Sequence, residues 1–191
     1  VPAAQQEGGW MAHLALGMHA RQVAGDPALA LTWLNRAVSA RPQDERPALE
    51  RAQVHLAAER FDAVEADARR ALFADRYGGA MANALLARVE RARGASDDRV
   101  IALLRASVSP RLVPEYFAGT VYARPADFDF LPQLRMPGMA SHFYAGWLEL
   151  AELYVEQGAT DLAREVYRDL LELNPQHAAA AEALAALPAD G

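Results

Sequence analysis

The chain has 191 residues, of which 52% are apolar, so it can form one domain with a substantial core and is not generally disordered. It contains no cysteine and no lysine, which excludes disulfides, thiolate metal sites, Schiff bases and a P-loop lysine. The net charge of −6 argues against broad binding to nucleic acids or anionic membranes, and no apolar run reaches the roughly 20 residues needed to cross a bilayer.

The first predicted element is a helical hairpin at residues 11–44. Gly25 separates its two helices, and Asp26 followed by Pro27 supplies an N-cap and a proline at the first helical position. Pro42 marks the end of the second helix. The pattern predicts two antiparallel helices joined by a short turn.

Two weaker copies of this pattern follow, at residues 45–78 and 80–113. The first has Arg76 where proline would stand and lacks a glycine between its helices. The second has Gly94 in the turn, and its second helix begins at Ser96 with a cap followed by acidic residues. We interpret both copies as hairpins.

An irregular insertion, residues 114–142, follows the third copy. The stretch 113–139 is rich in proline and has five aromatic side chains, which argue against disorder: Tyr116, Phe117, Tyr122, Phe128 and Phe130. These side chains either bridge two blocks of hairpins or form an arm that binds a partner or masks the protein's own binding face. Local disorder is the third alternative.

The last hairpin covers residues 144–177 and is followed by a short capping helix at residues 178–187. Trp147, Ala151 and Tyr154 share one helix face, Gly158 ends that helix, and a second helix follows from about Thr160. At this spacing we expect the aromatic side chains of this hairpin to be core rather than a ligand cage.

These hairpins resemble the 34-residue tetratricopeptide repeat, and the last one agrees with it at about eight or nine signature positions. The resemblance implies an all-α fold: a right-handed solenoid of antiparallel helical hairpins that forms a single domain over residues 1–191. The capping helix would cover the apolar end of the last repeat.

The sequence contains no pattern typical of catalysis, metal binding or a cofactor. No two of the five histidines lie at the i, i+3 or i+4 spacing of a helical metal pair, and glycine-rich phosphate loops and nucleophile motifs are missing. We therefore expect no enzyme activity, no metal site and no cofactor.

In the family, the first helix of each repeat lines a concave groove that binds peptides or helices of other proteins. The resemblance places the following residues in this groove: His19, Gln22, Arg46, Leu49, Gln53, Leu56, Arg88, Arg91, Leu148, Glu152 and Glu156. The groove would change from neutral to basic and then to acidic. Alternatively, these charges are solvated or pair with each other. Ala15 and His19 replace the lysine and asparagine with which one subfamily binds chaperone tails, which disfavours that function.

The predicted function is a non-catalytic scaffold for protein–protein interaction, and the alternative is a regulatory or substrate-recruiting module of a larger enzyme. Self-assembly through repeat ends is a third option. Richness in alanine and arginine without lysine suggests a GC-rich bacterial source. Similar bacterial domains are adaptors of envelope, secretion or exopolysaccharide assembly. Because the chain begins with Val1, we expect a fragment or processed form, cytoplasmic or periplasmic, that a segment outside it could tether to a membrane.

Overall fold

The computed structural model describes residues 3–74, 79–108 and 139–188, and every regular element in these ranges is an α-helix. The helices are α1 (Ala3–Gln22), α2 (Pro27–Ala40), α3 (Glu45–Ala57), α4 (Phe61–Ala74), α5 (Gly79–Ala92), α6 (Asp97–Ser107), α7 (Met139–Glu156), α8 (Thr160–Leu173) and α9 (Ala178–Ala186). The predicted all-α class is confirmed. The predicted insertion lies outside the described residues, except for its last four residues, which belong to α7.

The chain divides into two compact units, Val1–Ser96 and Asp97–Gly191. In the first unit α1 packs on α2, α3 packs on α4, and α5 packs on both α3 and α4. In the second unit α6 packs on α7, α7 pairs with α8, and α9 packs on α8. The helices of the predicted third repeat, α5 and α6, therefore belong to different units, and a single domain over the whole chain stays a prediction.

The turns inside the hairpins share one backbone conformation. Gly25, Gly94 and Gly158 have φ angles of 63°, 76° and 71°, in the left-handed region that suits glycine. The turn between α3 and α4 uses Glu59 in the same conformation, with φ of 54°. The hairpin that lacks a glycine in the sequence thus closes with a strained non-glycine residue.

Small side chains let the helices of the first unit approach closely. Ala30, Ala52 and Ala68 are each 0% exposed. Helices α1 and α2 are close together at Gly17, where an added Cβ would lie 2.6 Å from Cγ of the buried Leu34. The first hairpin is therefore packed too tightly at this point for any larger residue.

The second unit has an aromatic core. Trp147, Tyr154 and Tyr167 are 3%, 4% and 3% exposed, and Ala151 between them is 0% exposed. Their expected role as core is confirmed. At the end of the unit, α9 buries Ala180, whose backbone N–H donates to Nδ1 of His177 at 3.3 Å.

Arginine side chains connect the hairpins of the first unit. Arg51 of α3 donates from Nε to Asp67 of α4 at 2.9 Å and from NH1 to Asn35 of α2 at 2.7 Å. Arg21 of α1 donates to Glu50 of α3 at 2.8 Å. Because Asp67 and Glu50 are only 3% and 2% exposed, these bonds also give buried carboxylates a charged partner.

Candidate functional site

The candidate binding surface of the first unit is the face formed by α1, α3 and α5, called here the α1–α3–α5 face. It forms because α3 packs on both α1 and α5, so the first helices of successive hairpins lie side by side. On α1 the predicted residues His19 and Gln22 are exposed. The same helix also exposes Met11 and Leu16, and Val23 directly after it is exposed as well; the exposed fractions are 42%, 44% and 71%. The α1 end of this face is therefore largely apolar.

The α3 part of the face is built around Arg46. Its guanidinium lies 4.8 Å from the centre of the Trp10 ring and donates to both carboxylate oxygens of Asp44, at 2.8 and 2.6 Å. Asp44 also caps α3, because it accepts the backbone N–H of Arg46 at 3.1 Å. The charge of Arg46 is thus held in place and partly neutralised.

The predicted groove residues of α3 differ in their exposure. Gln53 and Leu56 are partly buried and keep some accessible surface. Leu49, by contrast, is 2% exposed and belongs to a core cluster that includes Val64 of α4 and Leu85 of α5. The structure therefore places Leu49 in the packing between helices and not on the accessible part of the α1–α3–α5 face.

Two ionisable groups of α3 behind this face have shifted pKa values. Burial raises the pKa of Glu50, against the attraction of Arg21, which lowers it. Burial also lowers the pKa of His55, which outweighs the opposite effect of Asp67. Burial therefore disfavours the charged forms of Glu50 and His55.

The basic part of the face lies on α5. Arg88 is partly buried and Arg91 is exposed, and each already interacts with a neighbouring group. His19, Gln22, Arg46, Gln53, Leu56, Arg88 and Arg91 are thus brought onto the helices of one unit. The five aromatic residues predicted as an arm, Tyr116, Phe117, Tyr122, Phe128 and Phe130, lie outside the described residues.

The remaining predicted groove residues lie on α7 in the second unit. Leu148 is partly buried, and Glu152 and Glu156 are exposed. Burial and the charge of Glu152 together raise the pKa of the Tyr167 hydroxyl. The acidic part of the predicted groove therefore belongs to a different unit from the basic part.

The second unit also contains a cavity of about 330 Å³ between α6, α7 and α8. It is lined by Arg105, Val108, Trp147, Leu150, Tyr154, Leu162, Glu165, Val166 and Asp169. Arg105 donates to the Tyr154 hydroxyl at 2.7 Å, and its guanidinium lies 5.7 Å from the centre of that ring. This arginine is therefore fixed against one aromatic wall.

The opposite side of the cavity is acidic. Glu165 and Asp169 lie one helical turn apart on α8, and within the described part of the chain neither forms an ion pair with an arginine. Burial raises the pKa of Asp169, and the like charges of Glu172 and Glu165 raise it further. A positive charge at this edge would relieve the repulsion.

Sequence reasoning missed this cavity. The helical pattern puts Leu162 on the buried side of α8, yet the side chain is 40% exposed. The signal was the alternation of apolar Leu162 and Val166 with acidic Glu165 and Asp169 along one side of a helix. A helix pattern alone does not reveal that α6, distant in sequence, forms the facing wall.

The described residues contain neither a candidate metal site nor a candidate membrane span. No group of three or more side chains there could hold a metal ion. No helix in those ranges has the length and apolar character of a membrane span.

The C-terminal part of the chain is similar to a known repeat. Residues 145–187 match the family model of the tetratricopeptide repeat, in agreement with the resemblance of the last hairpin. Among solved structures, a thermophilic tetratricopeptide-repeat protein from Thermus thermophilus is similar, with 21% sequence identity, a TM-score of 0.46, and coverage of 92% of this chain and 97% of that chain. No curated protein matches the chain.

Proposed function

We propose that this tetratricopeptide-repeat chain is a non-catalytic scaffold that binds a peptide or helix of another protein on the α1–α3–α5 face. Repeats of this family suggest protein–protein interaction in general. The residues of this face would determine what this chain binds. The observation that carries the proposal is the exposure of Met11, Leu16 and Val23 along α1 and the residue that follows it.

The apolar side chains of α1 supply the main contact. Val23 is 71% exposed, and Met11 and Leu16 are 42% and 44% exposed, so α1 and the residue after it present three apolar side chains to water. Burying one such side chain contributes about 1.5–3 kcal/mol when it becomes fully covered. An apolar residue of a partner helix or peptide that packs here gains this energy.

The arginines of the face would orient the bound partner segment. Arg46 is held by Asp44 and Trp10, so its position does not have to be fixed again when a partner binds. Arg88 and Arg91 on α5 extend the basic character to the other end of the face. A partner segment with an apolar end and an acidic end fits this arrangement.

Affinity capture from the native cell, followed by mass spectrometry, tests the proposal. The variant Val23→Asp removes the apolar contact, and Arg88→Glu with Arg91→Glu reverses the charge; we expect each to abolish capture while the helical circular dichroism is unchanged. Arg60→Glu with Arg168→Glu is the matched control, because both side chains are exposed and lie off α1, α3 and α5. Capture that survives both face variants would place the binding surface elsewhere.

We further propose that the chain is part of a bacterial assembly complex of the envelope, secretion or exopolysaccharide type. It rests on the alanine- and arginine-rich, lysine-free composition and on the resemblance to bacterial adaptors. Fractionation of the native cell tests it: the captured partner would be an envelope or secretion component. A catalytic domain encoded in the same gene would instead support the alternative, a regulatory or recruiting module of a larger enzyme.

A further inference from the structure

The last turn of α4 presents an aromatic side chain to water. Phe73 is 96% exposed and Leu72 beside it is 36% exposed. Arg69 and Arg70, four and three residues before Phe73, are also exposed and lie on the same side of the helix. Arg69 pairs with Glu65 at 2.6 Å, but 72% of its side chain stays exposed. An exposed aromatic residue beside two arginines is the composition of an interface anchor.

The cavity of the second unit is large enough to receive such an anchor. Trp147, Leu150 and Val166 provide apolar walls, and the volume is about 330 Å³. A cavity of roughly 150 Å³ with apolar walls is large enough for a benzene molecule. The volume of this cavity is therefore sufficient for the phenyl ring of a phenylalanine.

The charges are complementary as well. Glu165 and Asp169 stand at the acidic edge of the cavity without an arginine partner among the described residues, and Arg69 and Arg70 flank Phe73. The same asymmetry holds over the whole sequence: residues 1–96 contain 12 arginines and 11 carboxylates, whereas residues 97–191 contain 7 arginines and 14 carboxylates. Opposite charges at the two surfaces favour their encounter.

We propose that the chain self-associates head to tail, with Phe73 of one copy inserted into the cavity of a second copy. Arg69 and Arg70 of the first copy then face Glu165 and Asp169 of the second. The contact is heterologous, so a dimer retains one unused anchor on one copy and one unused cavity on the other. The average mass therefore rises with concentration beyond that of a dimer, and the contact weakens in high salt.

Sedimentation velocity of the full chain over a range of concentrations tests this proposal. We expect Phe73→Ala to weaken association roughly 10- to 100-fold, because an anchor of this kind supplies much of the energy of a small interface. Asp169→Arg acts on the opposite surface and should weaken association as strongly. Leu29→Ala is the matched control, because Leu29 is 43% exposed in the same unit as Phe73 and lies on α2; it should associate like the original chain.

A mixing experiment identifies the two surfaces directly. Phe73→Ala retains an intact cavity, and Asp169→Arg retains an intact anchor, so neither associates alone but an equimolar mixture forms a dimer that does not grow further. Arg70→Glu combined with Asp169→Arg restores the charge pairing in one chain and recovers part of the association.

Other results would overturn the proposal. An original chain that stays monomeric up to millimolar concentration would contradict it, and so would a Phe73→Ala variant that associates as strongly as Leu29→Ala. A monomeric chain in which Val166→Trp changes proteolysis within residues 113–139 would show that the chain's own segment occupies the cavity. A mixture of the two variants that stays monomeric would exclude the head-to-tail arrangement.

Discussion

Replacing Gly17 by alanine tests the packing of the first hairpin. The new Cβ would lie 2.6 Å from Cγ and 2.8 Å from Cδ2 of Leu34, and 3.3 Å from its backbone nitrogen. Non-bonded carbon atoms are normally about 3.5–4.0 Å apart. Leu34 is 0% exposed and cannot move its side chain into water, so α1 and α2 must separate or Leu34 must leave its rotamer.

Two opposing effects determine the size of the change. Alanine is favoured over glycine inside a helix by about 0.5–1 kcal/mol. Overpacking a core costs about 1–3 kcal/mol. We therefore expect Gly17→Ala to lower the free energy of unfolding by up to about 2.5 kcal/mol.

Gly9→Ala is the matched control, because Gly9 lies in the same helix and nothing is within 4 Å of its added Cβ. This variant keeps the helix effect without the clash and should raise the free energy of unfolding by about 0.5–1 kcal/mol. Urea unfolding of the full chain measures both variants, and hydrogen exchange of α1 and α2 assigns the change to the first unit. The difference between them isolates the steric cost.

Equal stability of the two alanine variants would refute the reasoning, because it would mean that α1 and α2 do not approach closely at Gly17. A double variant provides a second test. Leu34→Ala removes the atoms that the new Cβ meets, so adding Gly17→Ala to it should cost less than in the original chain.

Three further predictions concern other parts of the chain. Ala151→Trp should lower the free energy of unfolding of the second unit by about 1–3 kcal/mol in urea, since Ala151 is 0% exposed; unchanged stability would contradict the packing of α7 on α8. Glu59→Gly should raise stability by roughly 0.5–1 kcal/mol, because relief of the left-handed backbone, about 1–2 kcal/mol, exceeds the entropic cost of glycine. Burial raises the pKa of Glu50 in the folded chain. Between the pKa of the unfolded chain and that of the folded chain, the folded state therefore binds more protons than the unfolded state. The free energy of unfolding consequently falls as pH rises through this window. Urea unfolding from about pH 4 to 8 should show this dependence, and it should be flatter in Glu50→Gln.

The helices were predictable because local signals mark their ends. Asp26 caps α2 as expected, since its side chain accepts the backbone N–H of Leu29 at 2.9 Å. Gly158 has the left-handed conformation expected after α7. The turn at Glu59 was not predictable, because a glutamate there is unfavourable locally and is held in place by the packing of α3 on α4.

The candidate surface was predictable only in part. A repeat position indicates the helix face on which a residue lies, and His19 is exposed as that position implies. Leu49 also occupies a predicted groove position, which corresponds to the exposed Ala15 of α1, but it packs with residues of α4 and α5, because α3 has neighbours on both sides and α1 does not. The cavity of the second unit depends on contacts of α6 that no local pattern specifies.

The arginine bonds between hairpins limit how this repeat array could have grown or could be rebuilt. Arg51 of α3 bonds to Asn35 of α2, and Arg21 of α1 bonds to Glu50 of α3, so each of these two bonds needs particular residues of two successive hairpins. Exchanging the first or the second hairpin as a unit would leave Glu50 buried without Arg21. The hairpins of the first unit are therefore not interchangeable modules, and recombination within it must preserve the order of α1 to α4.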